Sequence, residues 1–244
     1  MKAHLAALLC LAGAAVHAQP DARRSGFDFM SPAIQALQRD DTQNPAFLWL
    51  QAGRQRFEAD CARCHSPDSL RGVAARYPAW SAVLKRPLTL SARINVCQQQ
   101  QVKGPLLPPE GDALLGLELF VAHQSRGLPV APPADTPMQK LRDEGRRLYQ
   151  QRLGQLDLSC AQCHDRHAGA RLGGSTIPQA HPTGYPIYRL EWQGLGSLQR
   201  RLRSCMSGVR AEPYAFASDE LTALEAYLMQ RAAGMAIETP GVRP

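Results

Sequence analysis

Cys61-Ala62-Arg63-Cys64-His65 and, about a hundred residues later, Cys160-Ala161-Gln162-Cys163-His164 are two pentapeptides of one form. The C-x-x-C-H spacing is that of covalent attachment for a c-type haem: two thiols become thioethers and the adjoining histidine ligates the iron. Two disulfides or two zinc knuckles are the bland alternatives. Zinc needs further cysteine or histidine ligands at short spacing, and neither half supplies them. The sequence therefore predicts two covalently bound haem c groups, attached at Cys61 and Cys64 and at Cys160 and Cys163, with His65 and His164 as iron ligands.

Such a motif needs a helix to deliver it against a packed wall. Asn44-Pro45 reads as an N-cap and first helical position, opening a helix from Ala46 to Phe57 that leads into Cys61. Pro67, Gly72, Pro78 and Pro87 break the chain after the motif. Helical patterning returns over Ser91 to Gln99 and over Gly111 to His123, where Leu114, Leu115, Leu117 and Phe120 fall at core spacing. Residues 129–138, with Pro129, Pro132, Pro133 and Pro137, hold little that could pack and read as a linker. Beyond it the plan repeats. A helix from Gln139 to Arg152 leads towards Cys160, a Gly/Pro-rich loop spans Gly169 to Tyr185, and helices follow around Ser197 to Cys205 and Ser218 to Ala232. Leu117-Glu118-Leu119-Phe120 lines up with Leu224-Glu225-Ala226-Tyr227, and Gly127 with Gly234 at the same offset. One residue further in offset, Leu90, Arg93 and Cys97 match Leu198, Arg201 and Cys205. The expected fold is mainly α, with two tandem class I cytochrome c-like domains, residues 19–128 and 139–244, each wrapped around one haem.

A chain of 244 residues has room for two such cores. Met1-Lys2, an apolar run from Leu5 to Val16, and Val16-His17-Ala18 read as a signal peptide over residues 1–18, too short to span a membrane. The expected location is outside the cytoplasm. A net charge of +7 points to anionic partners, but no basic tract interleaved with aromatics suggests nucleic acid.

Each haem needs a ligand on its second face. Between His65 and the linker there is no methionine, and the candidates are Cys97, His123, Lys85 and Lys103. His123 sits beside polar residues at a helix end and reads as a surface residue. Lysine must lose its proton to bind, which leaves Cys97. In the second half Met206, Met229, Met235, His167 and His181 compete with Cys205, and the internal repeat favours Cys205. Cys97 and Cys205 are the unassigned thiols once Cys10 leaves with the signal peptide; a disulfide joining them is the rival reading. An axial thiolate pushes electron density onto iron, which suits chemistry on sulfur.

The stretches Gln199-Arg200-Arg201-Leu202-Arg203-Ser204-Cys205, Arg210-Ala211-Glu212-Pro213 and Leu224-Glu225-Ala226-Tyr227-Leu228 resemble the C-terminal signature of the SoxA family, the dihaem subunits of SoxAX cytochromes. Met30-Ser31-Pro32-Ala33, Asn44-Pro45 and Arg93-Ile94-Asn95-Val96-Cys97 are similar to the same family. The resemblance implies a periplasmic L-cysteine S-thiosulfotransferase that oxidises thiosulfate and conjugates it to a cysteine of the SoxYZ carrier protein. A single-haem SoxX-type cytochrome would be its partner, and a c-type cytochrome the electron acceptor. It implies His65 and Cys97 as ligands of the first haem, His164 and Cys205 as ligands of the second, and Cys205 as the catalytic sulfur, found in the family as a persulfide.

Arg201 precedes Cys205 by four residues, which puts both on one helix face. Guanidinium forks suit a small oxyanion, so Arg201 and Arg210 are expected beside the substrate. Arg200 and Arg203 are expected to clasp haem propionates or to face solvent. Two other functions fit the motifs: a thiosulfate dehydrogenase forming tetrathionate, and a dihaem electron carrier without chemistry of its own.

Overall fold

Among the described residues the six helices expected from the sequence follow in order, with one further α-helix ahead of them and seven short strands that it did not suggest. The computed structural model describes residues 21–244, so the expected signal peptide lies outside the described residues. The first half holds helices α1 (Pro32–Arg39) and α2 (Phe47–Asp60), the hairpin of β1 (Ala79–Ser81) and β2 (Arg86–Leu88), and helices α3 (Leu90–Cys97) and α4 (Asp112–His123). The second half holds α5 (Thr136–Gln150), the hairpin of β3 (Arg171–Leu172) and β4 (Ser175–Thr176), and strands β5 (Ile187–Arg189) and β6 (Gly194–Gly196). Helices α6 (Leu198–Gly208) and α7 (Asp219–Arg231) and strand β7 (Gly241–Arg243) complete it.

Each half is built on one helix crossing. In the first, α2 packs on α4, and Phe57 meets Phe120 with ring centroids 4.8 Å apart. In the second, α5 packs on α7, and Tyr149 meets Tyr227 at 5.2 Å. The crossings are close because glycine stands at the contact: a Cβ on Gly53 would lie 1.9 Å from the carbonyl oxygen of Gly116, and one on Gly145 would lie 2.0 Å from that of Ala223. Small residues let two backbones approach to a distance that any larger side chain forbids.

Capping follows the sequence closely for α7, where the Ser218 hydroxyl accepts from Leu221 N at 3.2 Å. At α2 it differs. Asn44 stands one turn ahead of the helix; its Oδ1 accepts from Ala46 N at 3.1 Å and its Nδ2 donates to the Pro240 carbonyl at 3.1 Å. The asparagine is buried and ties the first half to the end of the chain rather than capping the helix itself.

The halves are joined more tightly than a bare linker implies. Gly127 N donates to the Ile237 carbonyl at 2.8 Å and Gly234 N to the Val130 carbonyl at 2.8 Å, while Val130 N and Ile237 N reach the carbonyls of Met235 and Leu128 at 2.9 Å. Gly127 and Gly234 share a left-handed φ, +81° and +84°, which glycine adopts without strain. Equivalent segments of the two repeats thus pair antiparallel about a local twofold relation. Val130 is buried among Ala75, Ala232 and Ile237, so the first residues of the Pro-rich segment pack, contrary to expectation. Their apolar side chains cover the joint.

Residues 21–44, α1 included, belong to the first half in sequence yet pack on the end of the second. Gln38 Oε1 accepts from Val242 N at 2.9 Å and from Arg243 Nη1 at 2.6 Å. Ser25 Oγ donates to Glu238 Oε1 at 2.7 Å. The three-stranded sheet runs β6-β5-β7, with β5 antiparallel to β6 and parallel to β7.

Candidate functional site

In the second half the motif forms a turn of π-helix, Gln162–Arg166, directly after Cys160. His164 Nδ1 donates to the Pro178 carbonyl at 2.7 Å, which fixes the ring and leaves Nε2 free for a metal. Across one cavity from it is Cys205, on α6, close enough to the His164 ring for the two to interact. Ser197 caps that helix, its hydroxyl accepting from Arg200 N at 3.1 Å. Burial works against ionisation of Cys205, but the neighbouring His164 ring and the charges of Arg201 and Arg189 outweigh it, so the thiol is held below its ordinary range.

His164 and Cys205 line one cavity of about 520 Å³, together with Arg201, Arg189, Arg243 and Tyr185. That volume falls within the range of about 300–1,000 Å³ common for cofactor pockets. The N-terminal segment supplies part of the wall through Phe29, Met30 and Ser31. A histidine with an oriented ring, the thiols of Cys160 one turn before it and of Cys163 directly before it, and a sulfur across a cavity of this size form a donor set that fits haem c.

Four arginines line this cavity: the exposed Arg171 of β3, and Arg201, Arg189 and Arg243, which enter it from α6, β5 and β7. Arg201 lies one turn before Cys205 on α6. Arg189 of β5 and Arg243 of β7 are register partners in the parallel pair, so both side chains leave the same face of the sheet. Arg189 is 8% exposed. It pairs with the half-exposed Glu191 at 2.9 Å and lies 5.0 Å from the centre of the Trp192 ring. Its buried Nε has no partner. Burial and the adjacent Arg201 charge lower its pKa, and burial does the same for Arg243. Cationic groups held together away from water call for an anion among them.

Arg210, expected beside the substrate, is exposed past the end of α6 with a left-handed φ of +59° and does not line the cavity. Arg200 and Arg203 also differ from expectation. Arg200 Nη1 donates to the Leu195 carbonyl at 3.2 Å and its guanidinium stacks 4.1 Å from the Trp192 ring. Arg203 reaches the Tyr214 carbonyl and stacks 4.5 Å from the Phe216 ring. Both hold loops in place. Arg189 and Arg243 escaped the sequence reading because their proximity depends on pairing two strands that are distant in the chain.

In the first half Cys61, Cys64 and His65 follow α2 directly, Cys61 packing against the core while Cys64 and His65 reach the surface. Cys97 closes α3, near enough to Cys61 to raise its pKa, although burial contributes most. Cys97 and Cys205 are both unbonded, so no disulfide joins them. Lys85 and Lys103 are exposed. His123 is half-buried rather than at the surface: its ring meets Phe47 edge-on at 5.7 Å, and burial lowers its pKa. Of the competitors to Cys205, His181 lines the cavity but its Nδ1 donates to the Arg24 carbonyl at 2.7 Å. His167 is exposed, Met206 is buried, and Met229 and Met235 pack at the joint between the halves.

Residues 47–130 and 144–237 match the family model described as SoxA/TsdA, cytochrome c domain. The chain is 34% identical to the L-cysteine S-thiosulfotransferase subunit SoxA of Pseudaminobacter salicylatoxidans, over 90% of this chain and 80% of the relative. It is 32% identical to that of Rhodovulum sulfidophilum, over 91% and 81%. The crystal structure of SoxXA from P. pantotrophus superposes with a TM-score of 0.88 at 30% identity, covering 91% of this chain and 87% of the other. No helix among the described residues is long and apolar enough to cross a membrane. The chain belongs to the SoxA/TsdA family of cytochromes c, with covalently bound haem c as its cofactor.

Proposed function

We propose that this chain is the dihaem subunit of a periplasmic L-cysteine S-thiosulfotransferase, joining thiosulfate to a cysteine of a SoxYZ-type carrier. The observation that carries the reading is Cys205 and His164 lining one cavity into which Arg189, Arg201 and Arg243 bring buried positive charge. The names borne by its SoxA relatives support it. The SoxXA structure supports a SoxX-type monohaem cytochrome as partner.

Cys160, Cys163, His164 and Cys205 would hold the second haem, and Cys61, Cys64, His65 and Cys97 the first. Haem supplies an acceptor for electrons, taken one at a time. The arginines hold the sulfonate oxygens of thiosulfate through charge-assisted hydrogen bonds, which turns its outer sulfur towards Cys205 Sγ. A sulfur–sulfur bond forms there as two electrons leave towards a c-type cytochrome. The carrier cysteine, as thiolate, then attacks the outer sulfur of that adduct and takes up the S-thiosulfonate, releasing Cys205 as thiolate. The thiol proton of the carrier goes to solvent.

The test is mass spectrometry of a SoxY-type carrier incubated with this protein, its single-haem partner, thiosulfate and oxidised cytochrome c. A thiosulfonate adduct on the carrier cysteine, absent with Cys205→Ser, is expected. Tetrathionate in place of the adduct would instead make the chain a thiosulfate dehydrogenase, and neither product from haem-loaded protein would leave an electron carrier.

A further inference from the structure

A second cavity, of about 130 Å³, lies where the two halves meet. It is arranged about the same local twofold relation as the paired segments: Val130 and Ile237 line it, as do Glu118 of α4 and Glu225 of α7, which the internal repeat makes equivalent. Both cysteine-bearing helices begin at its wall. Thr89 caps α3, accepting from Ala92 N at 3.1 Å, and Ser197 caps α6. From these caps α3 runs to Cys97 and α6 to Cys205, each over about 12 Å at the rise of an α-helix.

The polar contents of the cavity are unbalanced. Glu118 Oε2 is buried without a hydrogen-bond partner. Glu225 lies beside the Gln199 side chain of α6, which also lines the cavity. Glu110 also faces the cavity, its Oε1 and Oε2 taking up the Ser197 hydroxyl and backbone N. The other titratable groups on its wall are Tyr77 and Tyr185; no lysine, arginine or histidine is among the lining residues. Two carboxylates enclosed in one cavity without a cation cannot both carry charge at low cost. Burial, then the charges of Glu225 and Glu110, push Glu118 up to about 8, and burial pushes Glu225 to about 7. The cavity has room for several waters, each needing roughly 10–15 Å³ of such volume. Tyr185 lines both this cavity and the one holding Cys205.

We propose that the Glu118–Glu225 pair in the cavity between the halves is a proton-binding site linked to haem reduction. One proton from solvent forms an O–H bond on the pair as an electron from any reductant arrives at haem, and that proton returns to solvent on oxidation. The electron adds negative charge at the far end of α3 or α6, so the pair holds its proton more tightly; reciprocally, a protonated pair favours reduction. The inference rests on haem attachment and is independent of which sulfur reaction the protein performs.

The experiment is potentiometric titration of the haem-loaded protein between pH 6 and 9, for the wild type, Glu118→Gln, Glu225→Gln and the double variant. In the wild type the equilibrium constant for reduction should fall at least about twofold per pH unit, against a ceiling of tenfold, or 59 mV, for one proton per electron. Each single variant should flatten the slope and the double variant should abolish it. An unchanged slope in both single variants would place the titration elsewhere, such as on haem propionates, and overturn the proposal. Reduced-minus-oxidised infrared spectra read the same event without variants of altered stability as the sole witness. A carboxylic acid C=O band should grow on reduction of the wild type, be weakened in Glu118→Gln and be missing in the double variant, and a wild-type spectrum without it would equally refute the link.

Discussion

Replacing Gly145 by alanine tests whether the crossing of α5 and α7 is set by backbone contact. The added Cβ would meet the Ala223 carbonyl oxygen at 2.0 Å, the Ala223 carbonyl carbon at 2.7 Å and Tyr227 Cβ at 2.7 Å. Ordinary contact begins near 3.4 Å, so the helices must part by more than an ångström or Tyr227 must leave its stack on Tyr149. Alanine gains about 1 kcal/mol over glycine in helix propensity. Overpacking costs about 1–3 kcal/mol, and a backbone carbonyl cannot swing aside, so the upper end of that range applies. The expected net loss is about 2 kcal/mol, a fall in Tm of about 4–8 °C for a chain of this size. Differential scanning calorimetry of the haem-loaded protein measures it, with Gly174→Ala as control, since a Cβ there meets nothing within 4 Å. A Gly145→Ala protein as stable as the control would show that the crossing has slack.

Further outcomes follow from the same geometry. Arg189→Gln should raise KM for thiosulfate about tenfold or more with a smaller change in kcat, as expected when one charge-assisted hydrogen bond of about 1.5–3 kcal/mol is lost; steady-state kinetics at constant ionic strength reads this. Stability should fall as pH rises from about 4.5 to about 8, because the folded chain keeps protons on Glu118 and Glu225 that the unfolded chain has released. The slope is at most about 1.4 kcal/mol per pH unit for each proton, and urea titrations at several pH values should show it flattened in Glu118→Gln. Gln38→Ala strands the Val242 amide and one Arg243 donor, and should cost about 1–3 kcal/mol in chemical denaturation.

What the sequence disclosed was whatever is local. Six helices were legible because their apolar spacing, caps and breakers lie within one window, and the second copy of each feature doubled its weight. Cys97 and Cys205 stood out as equivalent thiols by alignment alone. What stayed hidden depends on residues distant along the chain. Strands β5 and β7 are three residues each and carry no periodic signal, so the neighbours Arg189 and Arg243 could not be foreseen. Arg210 is close to Cys205 in sequence, yet the left-handed turn after α6 carries it away. Val130 shows the converse: a proline-rich composition suggested an idle tether, but one apolar residue at the joint sufficed to seat it. Glu118 and Glu225 lay in plain view within the repeat, and only the packing of two halves showed that they share one enclosure.

The docking of residues 21–44 on β7 bears on how the protein comes to be made. Contacts such as Ser25 with Glu238 and Gln38 with Val242 span more than 200 residues, the longest loops this chain can close, and such closures come late in folding. Phe29 and Met30 from one end and Arg243 from the other enclose the cavity around Cys205. That pocket is therefore a seam between segments more than 200 residues apart and is complete only once both have docked. Proteolytic loss of residues 21–44 would open the same pocket, which makes the docking of that segment a requirement for its chemistry as much as for its fold.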